Sequence, residues 1–381
     1  MKRAYLGIFG SGLGHASRMM AVSRRLVSEG CEVRFSSSSE ATGYIRKQGF
    51  ACNDIPLVDV VFTETGNFSA THTMKVAPWL ILKVFQQAGM EARNIMRFRP
   101  DVVLSDSQIS TVMASKILGL KSVTVLNQLK LVSSPKTPPI LAKLLSNGSI
   151  SVGNEFWELS DRILFPDLPP PFTISERNLW GAGSAAARAE YVGFLTPPRS
   201  NFVEAETAKI MQSPRKIIFW QVSGPPKTRT ILLPKVMKVA SLLKDDYLSV
   251  ISAGDPMGTN APRSFEGGFV YDWCPSKDAM IDRCDVFVSR AGHVTISELI
   301  LRGKTSILIP IQAQMEQMGN AAKAEKLGVA VDLPEELLTE GNFRDALSRL
   351  EAQKASAKAA ELKQYASGFD AIGSIVSALR D

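Results

Sequence analysis

His15 closes the run Gly10-Ser11-Gly12-Leu13-Gly14-His15, which follows a short apolar strand at Ala4–Phe9. Glycine at Gly12 and Gly14 lets another molecule come close to the backbone. A helix is expected to begin beside the imidazole. A positive helix end disfavours imidazolium, so this ring suits a general base near neutral pH. A base needs an orienting partner. Asp106 ends a second strand, Val102-Val103-Leu104-Ser105-Asp106, and parallel strands share one rim at their C-terminal ends, where the carboxylate could meet the ring. A plainer reading stays open for each: His15 caps a helix, and Asp106 caps the helix after its strand.

The second constellation lies between Val286 and Asn320. An apolar strand gives way to Ser289-Arg290-Ala291-Gly292-His293-Val294-Thr295 and then to a helical pattern. Backbone N–H groups at such a helix start converge on space that favours anions. Arg290 would add a cation and Thr295 a hydroxyl, with Glu298 about one turn further along. His293 lies inside the same turn and either touches a ligand or fills space. After the strand Ser306–Pro310 come Glu316, Gln317 and Asn320, side chains suited to hydrogen-bonding hydroxyls. Phosphate ligands beside hydroxyl ligands point to a nucleotide sugar.

The elements that must position these residues alternate. Strands at Glu32–Ser36, Val102–Asp106, Ser122–Leu126 and Asp161–Phe165 interleave with helical patterns at Arg18–Ser28, Glu40–Gln48, Met74–Phe98 and Ser110–Leu118. A second alternating unit starts at Ile217–Val222, ends that strand in Ser223-Gly224, and continues through strands at Leu248–Ala253 and Phe269–Tyr271. Helices are expected over Ala346–Tyr365 and Ile372–Leu379. Such alternation implies α/β architecture with parallel sheets. The linker candidate is Thr196-Pro197-Pro198-Arg199, which divides the chain into residues 1–195, 196–365 and a terminal helix at 366–381. Two Rossmann-like halves would face each other across a cleft, the expected site.

At 381 residues the chain exceeds one ordinary core, and two domains are expected. A hydrophobic share of 45% and a charged share of 21% are those of a soluble globular protein. The net charge of +7 favours anionic partners. Nothing gathers that charge into a nucleic-acid-binding motif, so nucleic acid is not an expected partner. Cys31, Cys52, Cys274 and Cys284 are scattered and read as reduced thiols of a cytoplasmic protein. Met1-Lys2-Arg3 before an apolar run imitates a signal peptide, but the glycines that follow argue against one. The basic, apolar stretch from Met74 to Arg97 could rest Trp79, Leu80 and Leu82 on an anionic membrane, or pack as an ordinary core helix.

The loop departs from the dinucleotide G-x-G-x-x-G spacing, and no G-K-S/T closes it as a P-loop. Together, Gly12-Leu13-Gly14-His15 and the second-half motifs resemble the nucleotide-sugar glycosyltransferases of the GT-B fold. The nearest likeness is to family 28, with its MurG-type N-acetylglucosaminyltransferases, and then to family 1. The resemblance spans both halves and is strongest over Tyr271–Asn320. It implies that Trp273 and Cys274, in Trp273-Cys274-Pro275, receive the nucleobase. Ser223, Gly224, Arg290, Gly292 and Thr295 would surround the diphosphate, Glu298 would bind the ribose hydroxyls, and Glu316, Gln317 and Asn320 would read the donor sugar. His15 would be the base with Asp106 behind it. Ser276 and Arg290 differ from the Gln and His that family 1 members carry, and the MurG-type G-G-T-G-G-H and G-N-P-V-R sequences are missing, so that family's acceptor is not carried over.

The resemblance implies inverting transfer from a UDP-sugar to an acceptor hydroxyl, with no cofactor and no metal, since the sequence holds no D-x-D. A lipid-linked acceptor and peripheral membrane contact on the cytoplasmic face are allowed. Two other readings share these residues: an epimerase acting on UDP-N-acetylglucosamine alone, and a non-catalytic nucleotide-sugar binding subunit.

Overall fold

The computed structural model describes residues 1–58, 70–128, 155–179, 183–352 and 355–381, without the side chains of 70–78, 183–184 and 355. The described residues up to Pro197 form one compact unit together with Gly368–Asp381, and Pro198–Ser367 form a second. The change falls inside the Thr196-Pro197-Pro198-Arg199 run, where two prolines cannot extend a ladder.

The first unit is a seven-stranded parallel sheet. Its strands are β1 (Arg3–Ile8), β2 (Glu32–Ser37), β3 (Cys52–Asp54), β4 (Val102–Asp106), β5 (Ser122–Val125), β6 (Arg162–Phe165) and β7 (Ala189–Tyr191). Their spatial order is β3-β2-β1-β4-β5-β6-β7. Chain order therefore reverses between β1 and β4, the switch point where open α/β sheets leave a crevice at their strand ends. Ile8 and Asp106 are register partners there. Helix Gly14–Ser28 packs Met19, Met20, Val22 and Leu26 into the sheet's core, and Ile375, Val376 and Leu379 of the terminal helix Ala371–Arg380 join the same cluster. The returning C-terminal helix is thus part of this unit's core.

Helix Ala70–Phe98 covers the sheet and is fastened to it through Glu91. That carboxyl is fully buried and accepts hydrogen bonds from Tyr5 at 2.5 Å, Ser36 at 2.6 Å and Thr111 at 2.8 Å. Burial pushes its acidity down and its pKa up, against the three hydroxyls. The opposite face of the helix carries exposed Trp79 (61%), Ile81 (57%), Leu82 (61%) and Phe85 (56%). Leu80 is only half-buried, so the exposed face keeps Trp79 and Leu82 of the sequence reading and adds Ile81 and Phe85. Lys75 lies among the side chains that are not described.

The second unit repeats the plan with β8 (Lys216–Gln221), β9 (Tyr247–Ser252), β10 (Arg263–Phe265), β11 (Gly268–Tyr271), β12 (Val286–Ser289), β13 (Ser306–Leu308) and β14 (Ala330–Asp332). The order is β10-β11-β9-β8-β12-β13-β14, with β10 antiparallel to β11 and the other pairs parallel. Its reversal lies between β8 and β12, where Gln221 faces Ser289. The turns after these two strands, at Ser223-Gly224 and Arg290–Gly292, share one rim. The expected single helix Ala346–Tyr365 is two helices, Glu340–Ala352 and Ala355–Ala366. Among the described residues, no helix is long and apolar enough to cross a membrane.

Candidate active site

At the switch point of the first unit the glycine run turns into a helix that starts at Gly14. Gly12 takes φ +74°, a left-handed conformation open to glycine at little cost, and a Cβ there would meet nothing within 4 Å. Gly14 is exposed and His15 half-buried. His15 Nδ1 lies 2.8 Å from Asp106 Oδ1, with the Phe9 ring edge-on to the imidazole at 5.7 Å between centroids.

Asp106 is fully buried. Burial alone would raise its pKa, but the Arg18 guanidinium and His15 outweigh that and hold the carboxyl down at about 2. An ionised carboxylate only accepts hydrogen bonds, so Nδ1 must carry the ring hydrogen. Nε2 is left with its lone pair and can take a proton from a hydroxyl. Arg18 is the residue that the sequence reading passed over. Its guanidinium, 1% exposed, donates through Nε to Asp106 Oδ2 at 2.7 Å and through Nη2 to Oδ1 at 2.5 Å. The usable signal was its position three residues after His15, which puts both side chains on one helix face.

In the second unit, helix His293–Arg302 begins at Gly292, and no side chain caps its first turn. A Cβ at Gly292 would meet nothing closer than Thr295 Oγ1 at 3.9 Å. The N-terminal N–H groups and the Thr295 hydroxyl thus border open space, a fitting place for phosphate. Gly224, across the rim, needs glycine: its φ is +104°, and a Cβ would crowd Thr228 Oγ1 at 2.9 Å. Ser223 beside it is half-buried. His293 is buried in the first turn of the helix.

Arg290 departs from the sequence reading. Its guanidinium is buried and turned inward, donating to Glu335 Oε2 at 2.6 Å, to the carbonyls of Ile309 and Pro310 at 3.3 Å each, and to that of Thr228 at 3.2 Å. Burial lowers its pKa, although Glu335 opposes that. It ties three loops together instead of presenting a cation to the rim. Glu335, not anticipated, also accepts from Lys235 at 2.7 Å.

Gln317 and Asn320 also turn inward. Gln317 Oε1 accepts from the Ile311 N–H at 3.0 Å, and Asn320 Nδ2 donates to Ala291 O at 3.2 Å. Both brace the loops around the rim, and Glu316, half-buried in the first turn of helix Met315–Lys326, is the more accessible of the three. Glu298 is buried with its carboxylate on Lys277 Nζ at 2.9 Å and on Arg302 at 2.9 Å. Trp273 is half-buried just beyond β11, whereas the Cys274 side chain sits in the apolar core. Burial pushes the Cys274 thiol up to about 12, so Cys274 could offer a ligand only its backbone. Among the described residues, no three His, Cys, Asp or Glu side chains cluster as a metal site would.

Comparisons with known proteins find similarity to glycosyltransferases. Residues 244–373 match the profile described as "Glycosyltransferase family 28 C-terminal domain", and residues 1–150 match "Glycosyl transferase family 1". An "Uncharacterized glycosyltransferase" of Methanosarcina acetivorans is 25% identical, over 90% of this chain and 92% of that protein. The Lactobacillus acidophilus UDP-N-acetylglucosamine–N-acetylmuramyl-(pentapeptide) pyrophosphoryl-undecaprenol N-acetylglucosamine transferase is 24% identical, with 88% of each chain covered. In fold, the chain is similar to Streptomyces sp. SF2575 glycosyltransferase SsfS6, complexed with thymidine diphosphate. The TM-score is 0.67 at 16% identity, with 99% of this chain and 100% of that one covered. The chain is a glycosyltransferase of the GT-B fold, matched by the family 28 C-terminal domain over residues 244–373 and by family 1 over residues 1–150.

Proposed function

We propose that this glycosyltransferase moves a sugar from a UDP donor to the hydroxyl of a lipid-linked acceptor, with inversion and without a metal. The observation that carries the reading is the His15–Asp106 pair, at 2.8 Å on a switch-point rim. Its hydrogen-bond pattern leaves Nε2 as a base. In this mechanism Nε2 takes the acceptor proton while the hydroxyl oxygen attacks the anomeric carbon from the side opposite the diphosphate. The bond from that carbon to the diphosphate oxygen breaks, and UDP leaves. Charge growing on the diphosphate is met by the N–H groups at the start of helix His293–Arg302 and by Thr295. Glu298 holds the ribose hydroxyls, Trp273 receives the base, and Glu316 reads the sugar.

Support for UDP comes from the name of the Lactobacillus relative, while SsfS6 was solved with thymidine diphosphate. A thermal-shift panel of UDP-, TDP- and GDP-sugars with NAD separates these. UDP-sugars at a hundred times Kd should add about 2.7 kcal/mol of stability, and Glu298→Gln should weaken that binding at least roughly tenfold. Protection by NAD alone, or none by any nucleotide sugar, would retire the donor reading. UDP release should require an acceptor; isomerisation of a UDP-sugar without one would point to an epimerase.

The lipid-linked acceptor rests on the exposed Trp79, Ile81, Leu82 and Phe85 face, beside exposed Arg93 and Arg97. Aromatic and aliphatic side chains with flanking cations suit an anionic bilayer surface. The wild type should sediment with vesicles containing anionic phosphatidylglycerol, and Trp79→Glu/Phe85→Glu should stay in the supernatant. Equal partitioning of the two proteins would remove this surface from the mechanism.

A further inference from the structure

Arg18 has no part in the mechanism above, yet it is among the largest fully buried side chains in the chain. Its guanidinium holds both Asp106 oxygens, and Nη1 reaches Asn127 Oδ1 at 3.4 Å. The same Nη2 that binds Asp106 Oδ1 lies 3.2 Å from His15 Nδ1. Among the described residues, the charged groups facing the imidazole are therefore two. They are Asp106, from β4, and Arg18, from the helix that His15 begins. The Phe9 ring packs edge-on to the imidazole, and the Ser107 hydroxyl lies 3.4 Å from Asp106 Oδ1.

The two charges act on the ring in opposite senses. A lone carboxylate beside an imidazole favours the protonated ring, and a guanidinium at similar range opposes it. A base already protonated at working pH cannot accept the acceptor's proton. An aspartate that is held but electrically offset would still fix the tautomer while leaving the ring neutral.

We infer that Arg18 is a positioning residue for the base: it clamps Asp106 as the hydrogen-bond acceptor that orients His15, and it sets a positive charge beside the ring to offset the carboxylate's. This inference rests on His15 being the base. It separates two effects that a bare His–Asp pair couples, orientation and raised basicity.

The test is the pH dependence of kcat/KM in full-length wild type, Arg18→Lys, Arg18→Met and Arg18→Gln, with folding checked by circular dichroism. Without the cation, Arg18→Met should move the acidic limb of the profile to higher pH by about one unit. Arg18→Gln, which keeps a donor toward Asp106 but no charge, should shift it the same way, and it replaces Arg18→Met if that protein does not fold. Arg18→Lys should keep the limb where the wild type has it while kcat falls roughly tenfold, since a point charge loses the two-pronged grip. If all variants lose activity by one factor at every pH, with the limb unmoved, Arg18 is only a buried structural ion and the inference fails. Full activity in His15→Ala would instead retire the base itself, so the two failures are distinguishable.

Discussion

His15→Ala should lower turnover by roughly 10² to 10⁴-fold while leaving donor affinity within about twofold of wild type. The split follows from where the parts sit: the imidazole is in the first unit, and every candidate donor contact is in the second. Isothermal titration with UDP or a UDP-sugar measures the affinity, and acceptor-dependent UDP release measures the turnover. In the terms of mutant kinetics, kcat and kcat/KM should fall together, because the proton transfer exists only in the transition state. A fall in affinity with kcat preserved would mean that the ring binds substrate and does not move protons. Unchanged turnover would leave His15 as a structural partner of Asp106, since Leu13 and not His15 caps the helix.

Asp106→Asn is the companion experiment, and it differs from His15→Ala for a physical reason. The amide removes the charge that Arg18 is paired with, leaving a buried guanidinium unmatched, so a loss of stability should accompany any loss of activity. Only His15→Ala, at a half-buried position, separates chemistry from folding.

The site that sequence showed best was the one punctuated by glycine. A strand running into Gly10-Ser11-Gly12-Leu13-Gly14-His15 has few ways to continue, and the turn is where that pattern places it. Asp106 was visible because it ends an apolar strand, and adjacency to β1 then followed from the switch-point topology. What was hidden depended on partners far away in the chain. Arg18 looks like a solvated helix residue until Asp106, 88 residues on, is placed beside it. Cys274 stands between two half-buried residues, Trp273 and Pro275, and only packing reveals that its side chain belongs to the core. The three-residue strands β10 and β14 carry too little periodicity to separate from loop.

Arg290→Met should destabilise the second unit by about 3–5 kcal/mol. The side chain is 1% exposed, pairs with Glu335, and holds the carbonyls of Thr228, Ile309 and Pro310. Its removal leaves the buried Glu335 carboxylate with Lys235 as its remaining cation and frees the loops that carry Gly224 and Gly292. Donor binding should therefore fall too, and that loss alone cannot tell a loop brace from a phosphate ligand. Arg290→Met/Glu335→Met separates them. Replacing both members of a buried ion pair by apolar side chains of similar length is often neutral or stabilising, because neither charge is left behind. If Arg290 works as a brace, the double variant should recover most of the thermal stability, measured by calorimetry, and recover UDP affinity with it. A double variant that is stable yet binds UDP no better than Arg290→Met would show that the guanidinium itself reaches the diphosphate, as the sequence pattern first suggested. Its inward hydrogen bonds, all to protein groups, argue for recovery.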